Sequence, residues 1–313
     1  MKDAGSCFGY DVSSSIPLHF TRNAPSGQDT LLPTQTLNVV AYDNEPAGPD
    51  CELVITWTAT PARPIAAQVY RAPGEGMYGV HIEGGGWFWV DTREPRITVP
   101  AGEEPTRREE RLWGLPAMLC FAARGDLPLH AAAIDIGGRA VVLAGPSRAG
   151  KTTLAAAAVA AGWRLLSEDN TCIRLAGGPT VLPGPGLLRL RHDVAAKFDI
   201  PRSQTWDLGD DRLHMALHRD TRGDGRPVPL SAVVLLHATD DGDVTSRTVA
   251  PDQALRDLWS LSFRLPETRA RIACFDRLAE LVNRVPIHEV HRPLTMGSLP
   301  DLLELLKTLA HGE

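Results

Sequence analysis

Residues 143–154 read LAGPSRAGKTTL, and this stretch decides the fold. Gly145-Pro146-Ser147-Arg148-Ala149-Gly150-Lys151-Thr152 fits G-x-x-x-x-G-K-[ST] at every position. The apolar run AVVLA (140–144) precedes it, and TLAAAAVAA (153–161), a strong helix former, follows. Strand, glycine loop and helix in that order are what phosphate binding requires. Glycines let backbone N–H groups curl around an anion, and the helix N-terminus adds its positive end. Lys151 is expected to reach the terminal phosphates and the Thr152 hydroxyl to ligand Mg²⁺, with Thr153 closing the nucleotide-binding run. The alternative is an ordinary glycine-containing turn, which the completeness of the motif weighs against. The loop alone does not separate kinase, hydrolase and switch.

Downstream, WRLLSEDN (163–170) is an apolar strand ending in Glu168-Asp169. A strand after the first helix of such a fold runs near the loop, so its end can face the phosphates. Two acids there can divide the labour. One would ligand or water-bridge Mg²⁺, and the other would take the proton of an attacking hydroxyl. A solvated turn is the competing reading, because Asp and Asn are ordinary turn residues.

The block from His130 through AAAIDIGG (131–138), the loop and Gly162-Trp163-Arg164-Leu165 to Glu168-Asp169 resembles the catalytic domain of bacterial HPr serine kinase/phosphorylase and its relatives. The course after it is similar to HPr-kinase-like proteins found beside peptide-modifying gene clusters, the lasso-peptide kinases among them. The resemblance covers about residues 127 to 310 and is strong in the loop block. It implies an α/β P-loop catalytic domain preceded by a β-rich region. By position, Glu168 resembles the catalytic base, Asp169 a metal ligand beside Thr152, and His130 the histidine near the phosphates. Arg212 lies where related kinases place a basic residue that stabilises transferred charge. The chain departs from the family at Glu168, where an Asp is usual, and at Thr152-Thr153, where the bifunctional enzyme has Ser-Glu. The late glycine–arginine–asparagine signature of that enzyme is absent too. A kinase for a hydroxyl other than that of HPr is therefore implied.

The resulting expectation is an ATP- and Mg²⁺-dependent kinase acting on a serine of a small precursor peptide. A small-molecule or amino-acid hydroxyl is the variant. A nucleotide-dependent binding or regulatory module without transfer is the reading from a different class. The expected division is a β-rich N-terminal domain, 1–120, making acceptor or homo-oligomer contacts, and a catalytic domain, 121–313, with the boundary in a helix or linker around 105–127.

The rest of the chain fills in that outline. CELVITWTAT (51–60), AAQVYRA (66–72), MYGVHI (77–82) and WFWVD (87–91) read as strands, punctuated by TPARP (60–64), APGEG and EGGG. A helix is expected after ITVP, with Glu103 and Glu104 in its first turn and a stripe of Leu112, Leu115, Leu119 and Ala122. The middle, 180–230, reads as loop-rich. VVLLHAT is a buried strand, and three helices end the chain, the last capped by Ser298 or Asp301. Arg189 and Arg191 alternate along a strand, with a solvated edge preferred over acceptor contact. His214, His218 and His237 read as structural, and Leu258, Leu261 and Phe263 as core. The tryptophans and Phe88 read as sheet packing, although an exposed edge there would accept a peptide strand.

The net charge of −6, with arginines interspersed among acids, argues against nucleic-acid binding. The five scattered cysteines have no zinc or disulfide spacing and read as reduced thiols. No membrane span or signal-peptide core is evident, so a cytoplasmic location is expected.

Overall fold

The computed structural model describes residues 3–22, 35–43, 51–57 and 67–312. Among the described residues the fold is mixed α/β with three sheets. The expected TPARP turn, and the end of the strand run before it, lie outside the described residues.

The first sheet is built from β1 (Asp3–Cys7), β2 (Tyr10–Ser14), β3 (Gln35–Tyr42), β4 (Glu52–Trp57), β5 (Ala67–Arg71), β6 (Met77–Ile82), β7 (Trp87–Asp91) and β8 (Arg96–Pro100). Their spatial order is β1-β2-β3-β8-β7-β6-β5-β4. The EGGG turn joins β6 and β7 as an antiparallel hairpin. Alternate residues such as Val69, Val80, Phe88, Val90, Ile97 and Val99 point inward and are buried.

α1 (Pro105–Leu112) and α2 (Leu115–Ala123) cover that sheet. The sequence suggested one helix here, and the chain makes two. Pro116 has no N–H to give and its ring would clash with the carbonyl one turn back, so the first helix stops before it. Glu104 is not a first-turn acid but the N-cap: its carboxylate accepts from the N–H groups of Thr106 (3.0 Å) and Arg107 (2.7 Å). Those bonds, against the opposing effect of burial, lower its pKa. Glu104→Ala is expected to cost about 1 kcal/mol, read as a lower urea midpoint at unchanged slope. Glu103 pairs instead with Arg111.

The second sheet carries the glycine loop. The remaining elements are β9 (Leu127–Leu129), β10 (Ala131–Asp135), β11 (Ala140–Ala144), α3 (Lys151–Ala160), β12 (Arg164–Ser167), β13 (Thr171–Arg174), β14 (Thr180–Leu182), β15 (Leu187–Arg191), α4 (His192–Ala195), β16 (Arg202–Asp207), β17 (Arg212–Leu217), α5 (Arg219–Arg222), β18 (Val228–Thr239), β19 (Thr245–Thr248), α6 (Pro251–Leu261), α7 (Thr268–Arg284), β20 (Ile287–Pro293) and α8 (Leu299–His311). The sheet runs β12-β10-β11-β18-β14-β13-β9, with β20 beside β18 and β19 beside β20. β11, β18 and β20 are mutually parallel. β10 is antiparallel to both β11 and β12, so β12 points the same way as β11 without touching it. The ends of β11, β12, β18 and β20 therefore lie along one edge.

The alanines of α3 let it sit close on one face of this sheet. Ala155 to Ala158 are buried with Leu143, Leu165, Val234 and the core side of α8. α6 and α7 cover the other face through Leu258, Leu278 and Leu281. The middle of the chain is not loop-rich: β15, β17 and β16 form an antiparallel three-stranded sheet whose Leu188, Leu190 and Met215 join the α3 core. Ser298 occupies the position before α8 but does not cap it. Its hydroxyl donates to Pro293 O and Thr295 O, both at 2.9 Å, while Asp301 lies in the first turn.

The division expected at residue 120 falls inside α2. One core joins Phe8, Tyr10 and Val12 of the first sheet to Met118 and Phe121 of α2 and to Cys172, Leu182 and Phe263 beyond it. Arg22 ties the halves again: its guanidinium is buried and donates to Gly184 O (2.6 Å), Leu165 O (2.9 Å) and Leu166 O (2.8 Å). Among the described residues, no helix is long and apolar enough to cross a membrane.

Candidate active site

The loop 145–150 leaves buried β11 and enters α3 at Gly150. Gly145 has φ 144° and lies against β18, where a Cβ would stand 2.7 Å from Leu236 O, so no side chain fits. Arg148 takes φ 69°, a conformation rare for a non-glycine residue and concentrated at functional sites. Pro146, Ser147 and Arg148 are exposed, and Ala149 is buried. Lys151 folds back across the loop, its Nζ donating to Gly145 O (2.8 Å) and Pro146 O (3.1 Å). Its ammonium is thus held against the loop by the loop's own carbonyls. Burial lowers its pKa, with Asp169 and Glu168 opposing.

Because β12 runs parallel to β11, its C-terminal end delivers the acid pair to the loop. Thr152 Oγ1 donates to Glu168 Oε1 at 2.7 Å. Asp169 turns to His130, whose Nδ1 is 3.6 Å from Oδ1, and His130 Nε2 lies 3.4 Å from Lys151 Nζ. The backbone N–H of His130 donates to Leu261 O at 2.8 Å, which fixes the residue between β9 and β10. Burial lowers the His130 pKa below that of free imidazole, assisted by Lys151 and Arg189 against Asp169 and Glu168.

Arg189 is the residue whose place the sequence reading missed. It was weighed as part of a solvated edge strand. In the fold its side chain is only 14% exposed and meets three carboxylates: Glu168 through Nε at 3.0 Å, Asp169 through Nη2 at 3.0 Å, and Glu110 of α1 through Nη1. The other oxygen of Glu110 is 2.8 Å from Nε2 of buried His214. Burial alone would raise Asp169, but Arg189 first, then His130 and Lys151, hold it near pKa 2. Arg189 and His214 likewise overcome burial to hold Glu110 at about 2. Arg191 faces the same side as Arg189 but pairs with Asp193 at the surface.

Arg212, a candidate for charge stabilisation, is not brought to this cluster. It lies opposite Arg191 in the strand register, and its guanidinium meets Asp211 at 3.9 Å. His218 is exposed beside Asp220, and His237 stacks on His291 across β18 and β20.

The donor set suits Mg²⁺. A hydroxyl and a carboxylate oxygen side by side are hard ligands, and Mg²⁺ takes one or two such groups and completes its shell with phosphate and water. Among the described residues no group of three or more His, Cys, Asp or Glu is arranged to hold a metal without such help. A small cleft beside the acids is lined by apolar Phe8, Trp113 and Leu187 together with Glu168, Asp169 and Arg189.

No family model matches the sequence, and no curated protein matches it. Among solved structures, that of the HPr(Ser) kinase/phosphatase from Coxiella burnetii is similar to this chain, with a TM-score of 0.33 and 13% identity, covering 59% of this chain and 94% of that chain. A likeness of that degree assigns no role to any residue here.

Proposed function

We propose that the chain is an ATP- and Mg²⁺-dependent kinase that phosphorylates a hydroxyl, a serine of a small precursor peptide being the acceptor favoured and a small-molecule hydroxyl the variant. One observation carries the reading: the acid pair converges on the glycine loop, Glu168 on the Thr152 hydroxyl and Asp169 on the histidine that touches Lys151. A module that only binds nucleotide needs the loop and not the acids.

The contacts favour a division of labour opposite to the one carried over by position. Glu168, buried and bonded to Thr152, is suited with it to hold Mg²⁺, which would neutralise charge on the terminal phosphates. Asp169, 36% exposed, faces the cleft from which a hydroxyl can approach. Its carboxylate would accept the hydroxyl proton as the oxygen attacks the γ-phosphorus in line. The pKa near 2 makes it a weak base before nucleotide arrives, and the phosphate charges oppose Arg189, His130 and Lys151 and raise it. Lys151 leaves the loop carbonyls for the phosphate oxygens. The N–H groups at the start of α3 receive the rest of their charge.

Incubation with [γ-³²P]ATP, Mg²⁺ and the peptides encoded beside the gene tests this. Label is expected on a peptide serine with wild type and none with Lys151→Ala. ATP bound tightly, with no labelled acceptor and no ADP formed over hours, would remove the transferase and leave a nucleotide-dependent regulatory module.

A further inference from the structure

β20 lies parallel to β18, and its last residues reach the edge that holds the glycine loop. There Arg292 is 2% exposed, and among the described residues no carboxylate forms an ion pair with it. Its Nε is buried without a hydrogen-bond partner, and its Nη1 has only the Ser298 hydroxyl, at 3.5 Å. Nη2 presses on Gly150, the residue before α3, where φ is 86° and any side chain would overlap the guanidinium. Burying a cation is costly unless an anion answers it, and burial is the sole cause pulling the pKa of this group down. The other buried arginine of the site, Arg189, has three carboxylates. Arg292 has none, and it lies against the loop whose N–H groups are shaped for phosphate.

We infer that Arg292 is a further ligand of the nucleotide's phosphate oxygens, a guanidinium held against Gly150 whose anion arrives with the substrate. This rests on nucleotide binding at the glycine loop. Leu294 lies beside it. Its Cδ2 is 3.1 Å from the point over Gly150 that Nη2 also reaches, and the residue is 53% exposed. A planar group with two Nη donors fits phosphate bidentately, which an ammonium cannot do.

The test is a titration of wild type, Arg292→Lys and Arg292→Met with ATP, ADP and orthophosphate, in parallel with thermal melts without ligand. Met keeps an unbranched apolar stem and removes the unanswered charge. Unliganded Arg292→Met is therefore expected to melt at or above wild type. Its ATP and ADP affinity is expected to fall about 10- to 100-fold, with Lys in between. A structural brace gives the opposite melt, and an Arg292→Met protein that unfolds or melts well below wild type overturns the inference. So do variants that bind ATP and ADP like wild type. Loss of orthophosphate binding alone would hand the site to free phosphate and remove the nucleotide assignment. Wild type that binds no nucleotide would instead remove the reading of the glycine loop itself.

Discussion

Asp169→Asn is expected to lower the rate of phosphoryl transfer by about 10²–10⁴ while leaving nucleotide affinity equal or slightly tighter. The rate falls because an amide cannot take the hydroxyl proton, and a positioned base contributes about that factor. Affinity holds because the substitution removes one negative charge from a site about to receive several. Glu168→Gln should behave differently. Gln still accepts a bond from the Thr152 hydroxyl, which sits 2.7 Å from Glu168 Oε1, but presents no charge to a divalent cation. It is expected to raise the Mg²⁺ concentration for half-maximal rate, so that excess Mg²⁺ restores part of the activity. Single-turnover transfer across a Mg²⁺ series separates the two. If Asp169→Asn is rescued by Mg²⁺ and Glu168→Gln is dead at every concentration, the roles revert to those carried over from the family pattern.

Arg189→Met is expected to destabilise the protein by about 3 kcal/mol at pH 7. Removing one partner of a buried pair typically costs 3–5 kcal/mol. The low end applies because Asp169 is 36% and Glu110 23% exposed, so water screens part of the charge left behind. The pH dependence carries the diagnosis. In the wild type Asp169 and Glu110 titrate near 2, below their unfolded values of roughly 4. Such depressed carboxylates stabilise the fold above the unfolded pKa, and that contribution fades as pH falls toward 2. Without Arg189 the sign turns over: carboxylates that repel one another bind protons more readily folded than unfolded. The variant should therefore gain stability from pH 7 to 5 relative to wild type. Urea melts at both pH values measure this, and a difference independent of pH would mean that Arg189 serves by packing alone.

What the sequence revealed of this site follows from what is local. The strand, loop and helix around Lys151, and the acids at the end of WRLLSED, are short-range patterns with few alternatives. The alternation of Arg189 and Arg191 was legible too. Their unlike surroundings were not, because the partner that distinguishes Arg189 is Glu110, 79 residues upstream and on α1. The insertion of β10 between β11 and β12 left no local trace either, since all three are apolar runs. β16 escaped because most of its side chains are polar and exposed, and the backbone ladder to β17 carries it. Arg212 was placed by pattern alone, and its strand carries it past the cluster to the surface.

The contacts of Arg22 set an order on the birth of the molecule. Its acceptors lie 143 to 162 residues further along the chain, so at ordinary ribosomal speeds of about 5–20 residues per second the arginine waits roughly 7–30 s for them. Phe8, whose N–H donates to Pro183 O at 2.7 Å, waits for its acceptor over a similar span. Arg22 can close its three bonds only after the strand that ends in the acids, and the turn at Gly184, have been made.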